Sequence, residues 1–232
     1  MSEPFRIALV GATGLVGRRV IEACIGRSDV RLVGISRREV RLPQGARMEL
    51  FVAEPDKWGE VFEALRPTAL ISALGTTMKK AGGDEEAFRA VDQHLVLQTA
   101  RAAKDAGVAR MVAVSSVNAN AGAKNFYMRV KGETENELRK AGFKRLDILQ
   151  PGLLRGPREN DPRTAEGIGQ VLAPLVDPFL GGKYRNYRSI DARVVAEAAL
   201  GFASRKAAGK FTHTHDQMVR CARDWAKSGE GE

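Results

Sequence analysis

The chain has 232 residues, 44% of them hydrophobic and 28% charged, which is enough to bury the core of one large domain and excludes a disordered polymer. Its 37 Lys and Arg against 28 Asp and Glu give a formal charge of +9; that suits an anionic ligand such as a nucleotide, though it comes from scattered arginines and not from a basic block. Two cysteines exclude a disulfide framework. With no secretory pattern at the start and no apolar run near ~18 residues, the expected location is cytoplasmic and no membrane contact is expected.

Short apolar runs alternate with helical stretches along the chain. FRIALVGA (5–12) reads as a strand and 14–26 as a helix; RLVGIS (31–36) and ELFVA (49–53) read as the second and third strands, with 38–50 an edge hairpin or a loop. KWGEVFEALR (57–66) is a short helix that Pro67 helps to end, and ALISALG (69–75) is a fourth strand. A long helix is expected over 84–106, capped by Asp84 and stopped at Gly107, followed by a fifth strand, RMVAVSS (110–116). The next helix covers 127–140 and stops at Gly142, and RLDILQPG (145–152) is a sixth strand. Strands that are apolar throughout, separated by helices, predict an α/β fold with a doubly wound parallel sheet.

After Pro151 the texture changes. A polar, Pro- and Gly-rich loop (152–163) precedes an apolar segment broken by prolines (168–182), an amphipathic helix that Asp191 caps (189–204) and a last helix (216–225). Residues 1–152 are read as a nucleotide-binding core and 153–232 as a small C-terminal substrate lobe packed on it, one structural domain overall.

GATGLVG follows the first strand and opens the first helix, with Gly11, Gly14 and Gly17 at three-residue spacing. A pyrophosphate needs close backbone approach and the free N–H groups of a helix N-terminus, which this sequence offers. The second strand ends in Ser36, Arg37 and Arg38, where an NAD-preferring fold usually carries an acidic residue for the ribose 2′-hydroxyl. Guanidinium forks match a phosphate, so NADP is the expected cofactor. The fourth strand ends in Leu74, Gly75, Thr76 and Thr77, a turn able to pass close to the same ligand. The fifth ends in Ser115 and Ser116, and Tyr127 and Lys131 stand four residues apart on the next helix, hence on one face. Carbonyl reduction needs these parts: a phenol to give a proton, an ammonium to favour phenolate, and a hydroxyl to hold the substrate oxygen.

In these motifs, and in VDQHLVLQTARAAKDAGVARMVAVSSVNAN, FYMRVKGETE and LQPGLLRG, the chain resembles the atypical short-chain dehydrogenase/reductases over about residues 5–163, closest to the branch containing the Tat-interactive oxidoreductase and its bacterial relatives. The resemblance implies an NADPH-binding Rossmann domain with Gly11, Thr13, Gly14, Leu15, Val16 and Gly17 on the pyrophosphate. It places Ser36, Arg37 and Arg38 on the 2′-phosphate, lines the cofactor with Leu74, Gly75 and Thr76, and sets Pro151, Leu153 and Leu154 at the nicotinamide. Ser115, Tyr127 and Lys131 form the catalytic set, with Tyr127 and Lys131 also touching cofactor, and spacing does not choose between Ser115 and Ser116. Many members carry an Asn relay residue where this chain has Asp92, so no relay is assigned.

His213 and His215 would share a face on a strand, but no cluster completes a site, and no metal is expected. Trp58 and Trp225 read as packing anchors, His94 as a helix-surface or packing residue and Cys24 as a small buried hydrophobe. The expected function is NADPH-dependent reduction of a small-molecule carbonyl by a monomer or homodimer. The alternative is an NADPH-binding redox sensor with little turnover. A nucleic-acid binder, suggested only by the charge, lacks a basic-aromatic stripe.

Overall fold

A computed structural model describes residues 5–157 and 182–229, with Lys183 and Tyr184 by backbone alone. The expected loop beyond residue 157 and the apolar 168–182 run therefore lie largely outside the described residues. Seven strands form one parallel sheet: β1 (Phe5–Val10), β2 (Val30–Ser36), β3 (Glu49–Val52), β4 (Ala69–Ser72), β5 (Arg110–Val114), β6 (Arg145–Leu149) and, after a short separate pair β7 (Leu154–Arg155) and β8 (Ile190–Asp191), β9 (Gly209–His213). The order is β3-β2-β1-β4-β5-β6-β9, so the winding reverses between β1 and β4, which is where open α/β sheets hold ligands. Of residues 38–50, left between hairpin and loop by the sequence, 38–48 contain no strand or helix and Glu49 opens β3.

The helices are α1 (Leu15–Ala23), α2 (Trp58–Leu65), α3 (Glu85–Arg89), α4 (Val96–Asp105), α5 (Phe126–Lys140), α6 (Ala192–Ser204) and α7 (His215–Ser228). Two apolar layers cover the sheet. On one face Val16, Val20 and Ile21 of α1 pack with Val195, Ala199 and Phe202 of α6 and Trp225 of α7. On the other, Trp58 and Phe62 of α2 pack with Val96 and Ala100 of α4 and Leu138 of α5. The inner strands β1, β2, β4, β5 and β6, covered on both faces, are rich in Val, Ile, Leu and Ala, as their sequences foretold, whereas the edge strands β3 and β9 are partly exposed. Asp84 caps α3 by accepting from the N–H groups of Glu86 and Ala87, and Asp191 caps α6 through Arg193 N–H.

Two features go beyond the sequence reading. The stretch read as one helix over 84–106 contains a π-helical segment, Ala90–Leu95, between α3 and α4. Residues of the C-terminal part also enter the main sheet: β9 pairs with β6 in register Arg145↔Gly209 to Leu149↔His213. His213 is buried there, 2.7 Å from Asp147, which also holds Arg145 at 2.6 and 2.7 Å, and its ring stacks on Phe202 at 3.7 Å. Trp58 is buried and donates its indole N–H to Ala53 O at 2.9 Å. His94 is exposed.

Candidate functional site

The phosphate loop is built by backbone contact. Gly11 has φ +83°, and a Cβ there would lie 2.5 Å from the carbonyl of Ala73. Gly17 is pressed equally close against the carbonyl of Gly11. These two glycines let the β1–α1 turn seat against the end of β4, and a side chain at either is excluded by the protein itself. Gly14 is different: its φ is −77° and its nearest foreign atom would be 3.3 Å from a Cβ. It is the N-cap of α1 and offers no side-chain cap, so the first N–H groups of α1, those of Leu15, Val16 and Gly17, remain as donors at the positive end of the helix. That arrangement fits a pyrophosphate. Thr13 is exposed beside it, as are Arg37 and Arg38 just beyond β2, where Arg38 N–H approaches Ser36 Oγ at 3.4 Å.

The next wall is the turn after β4. Thr76 N–H donates to Asp92 Oδ2 at 2.7 Å, and Asp92 Oδ1 lies 2.6 Å from Lys131 Nζ. Both side chains are withdrawn from water, at 0% and 8% exposure. The Lys131 contact is an ion pair without hydrogen-bond geometry, since Asp92 Oδ1 has no hydrogen-bond partner. Attraction between charges at this distance in a dry setting does not need one. The π segment explains how Asp92 gets there: one wider turn rotates it off the regular helix face, and such turns often occur at functional sites. Thr134 Oγ1 lies 2.8 Å from Val130 O and 3.2 Å from Asp92 O and shares its one proton between them, which ties the segment to α5. Outside, Arg89 pairs with Glu133 at 2.5 Å and holds that carboxyl below its usual range. Asp92 is the residue to which the sequence assigned no role; only its burial reveals one.

Tyr127, Lys131 and Glu135 share one face of α5 at four-residue spacing. Tyr127 sits in the first turn, half-buried, its ring 5.5 Å from that of Phe88. Gly132, on the same helix, has no room for a Cβ because Asn120 and Ala121 backbone lies against it, which draws the β5–α5 loop over α5. Ser115 at the end of β5 meets Glu135, with Oγ 2.5 Å from Oε1. A cleft of about 10 Å³, lined in part by Ser72, Asp92, Ser115, Lys131, Thr134 and Glu135, lies among them; it is only large enough for one water molecule. Ser116 is half-buried in the next position.

The loop after β6 closes the crevice. Pro151 is buried, Leu153 is 46% exposed and Leu154 half-buried. Gly152 runs against the carbonyls of Tyr187 and Arg188, and the Tyr187 hydroxyl donates to Asn118 Oδ1 at 2.9 Å. Gly156 faces Leu15, which brings this loop back to the phosphate turn. The sequence-predicted residues at the ends of β1, β4, β5 and β6 thus converge around the switch point, with Arg37 and Arg38 at the outer end beyond β2. Among the described residues no group of three or more His, Cys, Asp or Glu is assembled to hold a metal, and no helix is long and apolar enough to cross a membrane.

Comparison with known proteins agrees with this geometry. The sequence profile of the NAD(P)H-binding family matches residues 11–175. A curated relative from Aspergillus niger, "Protein fmp52, mitochondrial", is 35% identical over 97% of this chain and 99% of its own length; the Candida albicans FMP52 protein is 32% identical over 88% and 90%. Among solved structures, a UDP-glucose 4-epimerase from Thermotoga maritima superposes with a TM-score of 0.67 at 15% identity, covering 98% of this chain and 84% of its own. A putative NAD-dependent epimerase/dehydratase from Bacillus halodurans does so with 0.67 at 19%, covering 95% and 99%. At such identities the structures establish the fold. The cytoplasmic expectation is corrected by these relatives, which are named mitochondrial; a low cysteine count does not separate one reducing compartment from another. With more than two thirds of its length under the family profile and a relative aligned from end to end, the chain belongs to the NAD(P)H-binding Rossmann family and groups with the Fmp52 proteins.

Proposed function

We propose that this protein is an NADPH-dependent oxidoreductase of the atypical short-chain dehydrogenase/reductase type, on the branch containing the Tat-interactive oxidoreductase, and that it reduces a small-molecule carbonyl. The observation that carries the reading is the placement of Lys131: buried on α5, one turn after Tyr127, and ion-paired directly beneath the Leu74–Thr76 turn. The uncapped α1 terminus would hold the pyrophosphate, with Gly14 giving it room and Thr13 beside it. Arg37 and Arg38, which have no acidic partner among the described residues, would take the adenosine 2′-phosphate. Leu74, Gly75 and Thr76 would line one side of the dinucleotide, and Pro151, Leu153 and Leu154 the nicotinamide end.

A nicotinamide held there would supply the hydride for the carbonyl carbon. Tyr127 gives its proton to the carbonyl oxygen, which becomes the alcohol. The phenolate left behind is stabilised by the Lys131 ammonium and by the N-terminal turn of α5. A hydroxyl from the Ser115–Ser116 pair holds the oxygen in place. Asp92 fixes Lys131 under the turn. The C-terminal part of the chain, through its described residues 153–157 and 182–229, would supply the substrate side of the crevice within a single structural domain, in a monomer or homodimer. The relatives' names support a mitochondrial location.

Tyr127→Phe tests the proposal. Reduction should slow by ~10²-fold or more, while NADPH affinity, read by fluorescence titration, stays near that of the parent. Full activity in the Phe variant would remove Tyr127 from the chemistry. Tight NADPH binding with no turnover on any carbonyl of a broad panel would instead support the sensor reading.

A further inference from the structure

Two serines end β5, and a substrate oxygen needs a donor from one of them. The parallel ladder continues past the strand: Ser115 N–H donates to Leu149 O at 2.8 Å and Val117 N–H to Pro151 O at 2.9 Å. Side chains alternate along such a ladder, so Ser115 and Ser116 face opposite sides of the sheet. Ser115 faces α5 and meets Glu135, which is 3% exposed. Gln150 Nε2 lies 2.9 and 3.1 Å from the two Glu135 oxygens, and Arg139 donates to Oε2 at 3.1 Å. An amide NH₂ and a guanidinium are donors only. The ionised carboxylate is the form that accepts from all of these groups and from Ser115 together. A serine hydroxyl has one proton, and Ser115 has spent it on Glu135. The Ser116 hydroxyl has no partner among the described residues, and it points to the face where α1 and the Leu154 segment pack, the side on which a dinucleotide leaving the phosphate loop would cross.

We infer that Glu135 is a positioning residue of this site: by taking the Ser115 proton it braces the end of β5 against α5 and leaves Ser116 as the serine that donates to the substrate oxygen. The inference rests on the carbonyl-reductase reading. Ser116 keeps its proton throughout, and the proton transferred comes from Tyr127.

The test combines kinetics with a readout that needs no substrate. On a carbonyl that the parent reduces, Ser116→Ala should lower kcat roughly 10²- to 10³-fold with NADPH affinity retained, the usual cost of one lost oxygen donor. Carbon-13 carboxyl NMR of glutamate-labelled protein, with the Glu135 signal assigned from Glu135→Gln, should show that signal moving in Ser115→Ala and not in Ser116→Ala. A loss in Ser115→Ala as large as in Ser116→Ala overturns the inference, as does a Glu135 signal indifferent to Ser115→Ala. If the parent reduces no carbonyl, the reductase reading fails and the Ser116 role with it, while the NMR comparison still decides the Glu135–Ser115 contact.

Discussion

Asp92→Ala is the substitution whose cost follows most directly from the structure. The Asp92–Lys131 pair spans 2.6 Å with side chains 0% and 8% exposed. Removing one member of such a pair strands the other charge away from water, which costs about 3–5 kcal/mol. The same change leaves Thr76 N–H without its acceptor, adding roughly 1–3 kcal/mol if the group stays dry. A domain has only about 5–15 kcal/mol of stability in total, so a third or more should disappear. Urea unfolding, followed by the fluorescence of the buried Trp58 and Trp225, should show the midpoint falling by about 1.3–4 M for a slope of about 2–3 kcal/mol/M. Asp92→Asn keeps an acceptor for Thr76 and should lose less. Lys131→Met alone should also destabilise, and combined with Asp92→Asn it should recover much of the loss, because no unpaired charge remains. An Asp92→Ala midpoint within about 1 kcal/mol of the parent would show that Lys131 reaches water freely, and the buried-pair account would be wrong.

Other outcomes follow from the same geometry. NADPH should bind at least about tenfold more tightly than NADH, or about 1.4 kcal/mol, and replacing Arg37 and Arg38 by Ala should remove most of that difference in parallel titrations; equal affinities in the parent would refute the assignment. Gly14→Val should give a folded protein that has lost cofactor binding, since its Cβ would meet the Gly11 carbonyl oxygen at 3.3 Å, a contact that a shift of a few tenths of an ångström relieves, whereas Gly11→Val and Gly17→Val, whose Cβ atoms would overlap backbone, should lower the melting temperature as well. Normal NADPH affinity in a folded Gly14→Val protein would mean that the loop holds no pyrophosphate. Burial pushes the Cys24 thiol up to about 12 and the Cys221 thiol to about 11, so at pH 8 both stay protonated and should resist iodoacetamide until urea is added; rapid alkylation of the native protein, read by mass spectrometry, would contradict this.

The sequence by itself determined what neighbouring residues encode. Apolar runs set six strands, Asp84 and Asp191 marked helix starts, and the three glycines after β1 marked the phosphate turn, because periodicity, capping and φ preference act within a few residues. The spacing of Tyr127 and Lys131 fixed their shared face for the same reason. Tertiary structure decided the rest. From the sequence Asp92 took no assigned role and Glu135 was not singled out; what buries them is contact with Lys131, Thr134, Ser115 and Gln150, largely on elements far along the chain. Nor did local pattern announce the π turn that aims Asp92 inward, or β9 beside β6, since pairing between strands more than sixty residues apart is chosen by how the whole sheet closes its edge. Ser115 and Ser116 are chemically identical in the sequence, and only the helix packed against one face of β5 makes them different.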